Sequence, residues 1–297
     1  MGYYDVYHRA EVLATRRLTP HLVRVELGGD GLRTWESSGV PDERLVLVLP
    51  APGSREVARP VTMPDGTQDY PDPDDQPPMR SYTVRRWDAD TGRMWVDFVV
   101  HEGGIASTWA QKAEPGDVIY LTEAMGWYRP PADATWQLLV ADLAGLPALA
   151  RAVEELPAGT RAYVLAEVPE AADRIEVPTA GDVTWTWLEG SGNDSGPSRL
   201  AETVARLVTP DAPGYVWFAA EASASRAVRK HLRHERGMPV ARCTLLGYWR
   251  LDSERWDARY AEVAPTLEAV YTEAVAAGAT SEDALELYDE ALERVGL

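Results

Sequence analysis

The chain has 297 residues, enough for one large domain or two ordinary ones, and 45% of them are apolar, which supports a buried core. A net charge of −18, with Lys112 and Lys230 as the only lysines, excludes broad binding to nucleic acid or anionic lipid, because both need a positive face. No apolar run approaches the ~20 residues that span a bilayer, and the start lacks a charged segment followed by an apolar one, so a cytoplasmic protein off the membrane is expected. Cys243 is the single cysteine, so neither an internal disulfide nor a four-thiolate iron–sulfur cluster is available. His231 and His234 share one helical face, but a solvated helix accounts for them, and no protein-bound metal is expected.

The first 132 residues read as short strands separated by Gly, Pro and Asp clusters, the pattern of an antiparallel barrel. Strands are predicted at 22–27, 45–49, 80–86, 94–101 and 118–122. Residues 51–79 are rich in Pro and Asp with little periodicity, and read as a mobile insert. From 133 the pattern changes to alternating strands and helices, which implies a mainly parallel sheet with helices on its faces. Strands are predicted at 137–141, 161–166, 183–188, 215–219 and 243–248. Helices are predicted at 146–156, at 198–208 with Ser198 as N-cap, and at 222–236 closed by Gly237. The run Gly190-Ser191-Gly192-Asn193-Asp194-Ser195-Gly196 lacks the Lys-Ser/Thr of a phosphate loop and reads as a flexible surface turn. Residues 253–297 read as a helical extension. Thr280 with Asp283 forms a capping-box variant, and Ala284, Leu285, Tyr288, Ala291, Leu292 and Val295 follow at helical spacing. A helix packed on its own domain is expected there, in a monomer or weak dimer.

Two segments carry candidate chemistry. On a strand, Arg80, Tyr82 and Val84 share one face while Ser81, Thr83 and Arg85 share the other. Tyr82 offers a wall for a flat ring, Thr83 a hydroxyl and N–H for its polar edge, and Arg80 a cation for phosphate. Alone, this is also an ordinary amphipathic strand. The second segment, His101 to Ser107, contains Gly103-Gly104 and opens a short helix, so its backbone can approach a phosphate closely.

Taken in order, Arg80-x-Tyr82-Thr83-x-Arg85 and Asp97-Phe98-Val99-Val100-His101 … Gly104-Ile105-Ala106-Ser107-x-Trp109-Ala110 resemble the siderophore-interacting proteins, flavin-dependent ferric-siderophore reductases of the ferredoxin-reductase-like superfamily. Pro115-Gly116-Asp117, Asp142 with Leu146-Pro147-Ala148, Glu221-Ala222-Ser223 and Gly247-Tyr248-Trp249-Arg250 are similar in turn, so the resemblance covers residues 5 to 256. It implies an N-terminal antiparallel FAD-binding β-barrel (1–132), a Rossmann-like NAD(P)H-binding α/β domain (133–252) and a helical C-terminal extension (253–297). By the same resemblance Arg80, Ser81, Tyr82 and Thr83 contact flavin. Asp97, Val99 and His101 line its ribose or phosphate side, and Gly104, Ala106 and Ser107 hold the pyrophosphate. Trp249 sits near the ring or closes the cleft, and Asp142 and Glu221 border the nucleotide site. The departures fall on the nucleotide side. Ala141-Asp142-Leu143-Ala144-Gly145 lacks the Gly and Thr usual in the family, Ala220 replaces a Gly, and Leu251-Asp252 replaces a more basic ending.

The function this implies is NADPH- or NADH-dependent reduction of a ferric siderophore through FAD, releasing Fe(II). An anionic chelate would need arginines at the cleft mouth, and Arg85, Arg86, Arg129 and Arg250 are the candidates. The alternatives are a flavoenzyme acting on an organic substrate in a biosynthetic pathway, with altered or lost nucleotide use, and a flavin-free binding protein on the same scaffold.

Overall fold

A computed structural model describes residues 6–70, 72, 76–251, 253–279 and 281–295. Its first half contains β1 (Tyr7–Thr19), β2 (Leu22–Gly28), β3 (Arg44–Val48), β4 (Val61–Thr62), β5 (Gln68–Asp69), β6 (Met79–Thr83), β7 (Arg86–Asp88), β8 (Arg93–Val99), helix α1 (Ile105–Lys112) and β9 (Val118–Thr122). Seven of these strands form one antiparallel sheet in the order β6-β3-β9-β1-β2-β8-β7. It curls like a barrel around Val25, Leu45, Leu47, Met94, Val96, Phe98, Ile119 and Leu121, with no ladder joining β6 to β7 among the described residues. Period two explains the inward set. Met94, Val96 and Phe98 alternate along β8 with Trp95, Asp97 and Val99, which face outward or toward the second half.

The sequence did not single out β1, the longest strand. Its stretch Ala14-Thr15-Arg16-Arg17 is exposed, so polar residues obscure the alternation that buries Ala10 and Val12. The predicted strand 80–86 is broken. Pairing stops at Thr83, Val84 N donates to Glu43 O and Arg85 N to Trp95 O, and a short β7 resumes at Arg86. Within 51–79, β4 and β5 form a small hairpin. Tyr70 is buried against Tyr7, Val48 and Tyr120, with its ring 5.4 Å from that of Tyr7. This aromatic anchor corrects the reading of the whole segment as mobile.

The second half contains β10 (Trp136–Ala141), α2 (Leu146–Glu154), β11 (Arg161–Val168), β12 (Asp182–Glu189), α3 (Leu200–Arg206), β13 (Gly214–Glu221), α4 (Ala222–Arg229) and β14 (Cys243–Trp249). The sheet is wholly parallel, in the order β12-β11-β10-β13-β14. Both faces are covered, which is why β10 and β13 read as continuous apolar runs. Leu139, Val164 and Trp217 pack with α2, whereas Leu138, Val140, Val216 and Phe218 pack with α3 and α4.

Three boundaries differ from expectation. α3 spans only 200–206, and Ser198 lies outside it. Its Oγ still accepts Leu200 N at 3.2 Å while donating to Glu167 Oε2 at 2.7 Å. The helix predicted over 222–236 is α-helical to Arg229 and π-helical over Lys230–Glu235, with Gly237 left-handed at φ 65° beyond it. The extension is a hairpin of α5 (Ser253–Ala276) and α6 (Ser281–Arg294) with its own small core of Leu267, Ala291 and Leu292. Thr280 and Asp252 lie outside the described residues, as do the side chains of Asp283 and Leu285, so the capping box does too. No described helix is long and apolar enough to cross a membrane.

Candidate functional site

β6 places Tyr82 opposite Leu45 and Arg80 opposite Leu47. The Tyr82 ring lies on Phe98, with centroids 4.3 Å apart and planes tilted by 38°, so one face of the tyrosine is anchored in the barrel core. Burial pushes its phenol pKa well above the usual range, which keeps it neutral. Thr83 is buried beside it, while Arg80 and Ser81 are exposed. Arg80 Nη1 donates to the Met79 carbonyl at 2.8 Å. No carboxylate pairs with it among the described residues, whereas Arg24, Arg55, Arg85 and Arg151 all hold carboxylates. An exposed guanidinium that meets no described carboxylate is a ready partner for phosphate.

β8 leads through Gly103, left-handed at φ 76°, to Gly104 at the N-terminus of α1, where no side chain caps the helix. A Cβ on Gly104 would stand 2.4 Å from His101 Cε1, so glycine is what lets the imidazole lie over the turn. Ser107 Oγ accepts from His101 N at 3.0 Å and donates to His101 O at 2.8 Å, so this hydroxyl fixes the turn. The first N–H groups of α1 have no carbonyl partner within the helix, which suits them to an anion. Asp97 is engaged otherwise. It accepts both Nε and Nη2 of Arg24 at 2.7 and 2.8 Å, with Arg85 Nε 3.9 Å away. Val99 packs at the seam against the second half.

Across that seam stands Tyr248. Its ring is 6.5 Å from Trp217 and lies beneath the Arg44 guanidinium at 5.6 Å. Its hydroxyl is buried, and burial pushes its pKa up while the Thr83 side chain, across the seam, pulls it down. Thr83 and Tyr248 thus bring two hydroxyls together where the two halves meet. The aromatic wall, the exposed arginine and the uncapped glycine turn together fit FAD. Arg80→Ala is expected to weaken FAD retention by about 10- to 100-fold, the worth of a charged hydrogen bond, in a fluorescence titration of apoprotein. A loss below about threefold would remove Arg80 as the phosphate ligand.

The parallel sheet reverses its winding between β10 and β13, and their carboxyl ends form the crevice where such sheets bind ligands. Asp142 and Glu221 close those two strands and meet there. Asp142 Oδ1 accepts Ala144 N at 2.9 Å and Gly145 N at 3.1 Å. Its Oδ2 accepts Glu221 N at 3.0 Å and Trp249 Nε1 at 2.5 Å. Burial pushes Asp142 up to about 7, against the pull of these N–H groups. The Glu221 carboxylate caps α4 through Ser223 N and Ala224 N. Trp249 is therefore held at the carboxyl end of the parallel sheet by Asp142.

The four arginines expected at the mouth are dispersed. Arg85 is buried in the seam and grips Glu154 of α2 with both Nη atoms, at 2.7 and 2.5 Å, because the break after Thr83 turns it inward; this corrects its placement at an open mouth. Arg86 lies over the Trp95 ring at 5.3 Å. Arg129 is exposed and bonds the Tyr128 carbonyl at 2.9 Å. Arg250 is half-buried beside Tyr288 of α6.

Sequence reasoning missed the groups that lock the halves together. Arg151 bonds Glu43 and the Val84 carbonyl. Asp42 accepts Trp127 N, Tyr128 N and Trp217 Nε1. Asp173 accepts the Thr19 hydroxyl together with N and Nδ1 of His21. The run 190–196 is no free surface turn either. Ser191, Ser198 and Arg199 N fasten it to buried Glu167, with Asn193 and Asp194 left-handed at φ 46° and 67°.

An antiparallel, barrel-like sheet carrying an FAD site, followed by a parallel α/β domain, is the ferredoxin-reductase-like architecture, and the chain is a flavin oxidoreductase of that class. More specifically, it belongs to the siderophore-interacting protein family. The siderophore-interacting FAD-binding domain matches residues 11–127, and the siderophore-interacting protein family matches residues 134–252. An uncharacterized protein of Mycobacterium tuberculosis is 37% identical over 82% of this chain and 90% of its own. Ferric vibriobactin reductase of Vibrio cholerae is 29% identical over 60% of this chain and 66% of its own. The crystal structure of a siderophore utilization protein from T. fusca superposes with a TM-score of 0.74 at 32% identity, covering 84% of this chain and 95% of that one. A ferredoxin NADP+ reductase from Neisseria gonorrhoeae, at 12% identity and a TM-score of 0.57, shares the fold.

Proposed function

We propose that this flavoenzyme reduces the iron of a ferric siderophore with electrons from a dihydronicotinamide nucleotide. Residues 1–132 would hold FAD, 133–252 would receive the donor, and 253–297 would be an added extension built on the α5–α6 hairpin. The observation that carries the reading is the Tyr82–Thr83 end of β6, where a tyrosine anchored on Phe98 stands beside a threonine whose side chain reaches Tyr248 of the second half. The vibriobactin reductase of Vibrio cholerae and an NADPH-dependent ferric-chelate reductase of Escherichia coli, 34% identical over 50% of this chain, support the choice of acceptor. Bound flavin supplies the relay between a hydride donor and a one-electron acceptor.

The protein's part is positional. Tyr82 and Thr83 orient the ring, Arg80 and the start of α1 fix the phosphates, and the Arg85–Glu154 pair holds the two halves in register. A hydride carries two electrons, so each donor oxidised reduces two ferric centres and releases one proton. Fe(II) binds hard oxygen ligands less tightly than Fe(III), so reduction frees the metal.

The test is anaerobic reduction of the purified protein with NADH or NADPH, followed by mixing with ferric siderophores. Flavin absorbance is expected to return with the appearance of Fe(II). No acceleration by any ferric chelate, with rapid reoxidation by an organic acceptor instead, would replace this reading by that of a biosynthetic flavoenzyme.

A further inference from the structure

We infer that the donor is recognised through its dihydronicotinamide end alone, because Asp142 and Asn193 already close the turn that would grip a nucleotide pyrophosphate. This rests on the donor proposed above and sharpens it.

Nucleotides that bind at the switch point of a parallel sheet set their phosphates on the N–H groups of the first strand–helix turn. In this chain the N–H groups of the turn itself, from Leu143 to Gly145, are taken. Leu143 N donates to Asn193 Oδ1 at 2.9 Å. Ala144 N and Gly145 N both donate to Asp142 Oδ1. Pro147, in the first turn of α2, contributes no N–H. Asp142, Leu143, Gly145, Leu146 and Ala148 are all buried, and Ala144 alone is partly open. The turn also lies hard against β13: a Cβ on Gly145 would stand 2.1 Å from the Ala219 carbonyl oxygen, so it has no room to retreat.

The plug is itself held in place. Asn193 reaches Leu143 from a left-handed backbone, in a loop tied to Glu167 by Ser191 and Ser198. A Cβ on Gly192 would strike Glu167 Oε2 at 2.6 Å, so the glycine seats the loop on that carboxylate. Arg199, the loop's cation, is committed to Ser191 Oγ and the Glu189 carbonyl. A pyrophosphate placed here would meet two buried carboxylates, Asp142 and Glu167, and no available arginine of this loop. The remaining approach is the crevice at the carboxyl ends of β10 and β13, beside Trp249.

The test compares NADH with reduced nicotinamide mononucleotide, which carries the same ring without pyrophosphate or adenosine, as reductants of the flavin-loaded protein. Calorimetry with ADP-ribose, which carries the pyrophosphate without the ring, gives a readout independent of activity. The kcat/KM values of the two donors are expected to agree within about tenfold, and ADP-ribose to bind no tighter than about 1 mM. A larger preference for NADH, or tighter ADP-ribose binding, would overturn the inference. Asn193→Gly, which tolerates the left-handed backbone and frees Leu143 N, is expected to raise the NADH preference by about threefold or more. An unchanged preference would overturn the part assigned to Asn193. Equal reduction by both donors without reoxidation by any ferric chelate would refute the proposed acceptor and leave this inference standing. Failure of both donors would overturn it.

Discussion

Arg151→Met is expected to lower the unfolding free energy by about 3–5 kcal/mol, the cost of leaving a buried charge without its partner. Arg151 rises from α2 into the barrel half, where Nη1 meets Glu43 Oε1 at 2.7 Å and the Val84 carbonyl at 2.8 Å. The Glu43 side chain is 0% exposed and that of Arg151 is 9% exposed. Methionine preserves the apolar stem and removes the charge, so the loss reports the ion pair more than packing. Glu43 would keep Ser37 Oγ, Ser38 N and Ser38 Oγ, neutral donors that soften its isolation without neutralising it. Urea denaturation gives the loss directly. The double variant Arg151→Met with Glu43→Gln is expected to recover a large part, because the orphaned charge is gone. A single-variant loss below about 1 kcal/mol would mean that the seam is held by apolar contact around Leu22 and Val99 instead.

Much of this molecule is legible in its sequence, and the rest is hidden for identifiable reasons. The β10 and β13 runs and the turn at Gly103-Gly104 announce themselves because a single local pattern determines them. The candidate flavin wall is legible only in combination, since Tyr82 acquires meaning from Phe98 beneath it and its neighbour Thr83 from Tyr248 across the seam. Long-range partners are what local patterns omit. Nothing around Asp42 or Glu43 signals that they meet Trp217 and Arg151. The same omission misplaced Arg85: a period-two strand puts it beside Thr83, but the ladder ends there and the guanidinium turns to Glu154. The run 190–196 shows the opposite failure. Its glycines suggest freedom, yet a buried acid at Glu167 organises them. Glycine content reports which backbone angles are allowed; the partner decides which are used.

Asp142→Asn is expected to be the most informative change in the α/β half, because its effect depends on pH in a defined direction. The Asp142 oxygens accept four N–H groups from the β10–α2 turn, the end of β13 and the Trp249 indole. An asparagine satisfies one pair and turns its own N–H groups toward the other, at a cost of about 2–3 kcal/mol for buried donors left facing donors. The wild-type acid is held at about 7, by burial first and with the Glu167 charge adding to it, against an ordinary value of 3.8. A carboxyl raised on folding binds a proton more tightly in the folded state. Its contribution to stability is therefore fully present below the unfolded value and is lost as pH rises through 7. Lowering the pH from about 8 to about 5 should stabilise the wild type relative to the non-titrating variant by about 2–3 kcal/mol. Paired urea melts at the two pH values measure this widening gap. A gap that stays constant would show that the four N–H donors hold Asp142 ionised throughout that range. The Trp249 bond would then be a permanent charged contact, and the crevice beside it would open by moving the indole and not by protonating the acid.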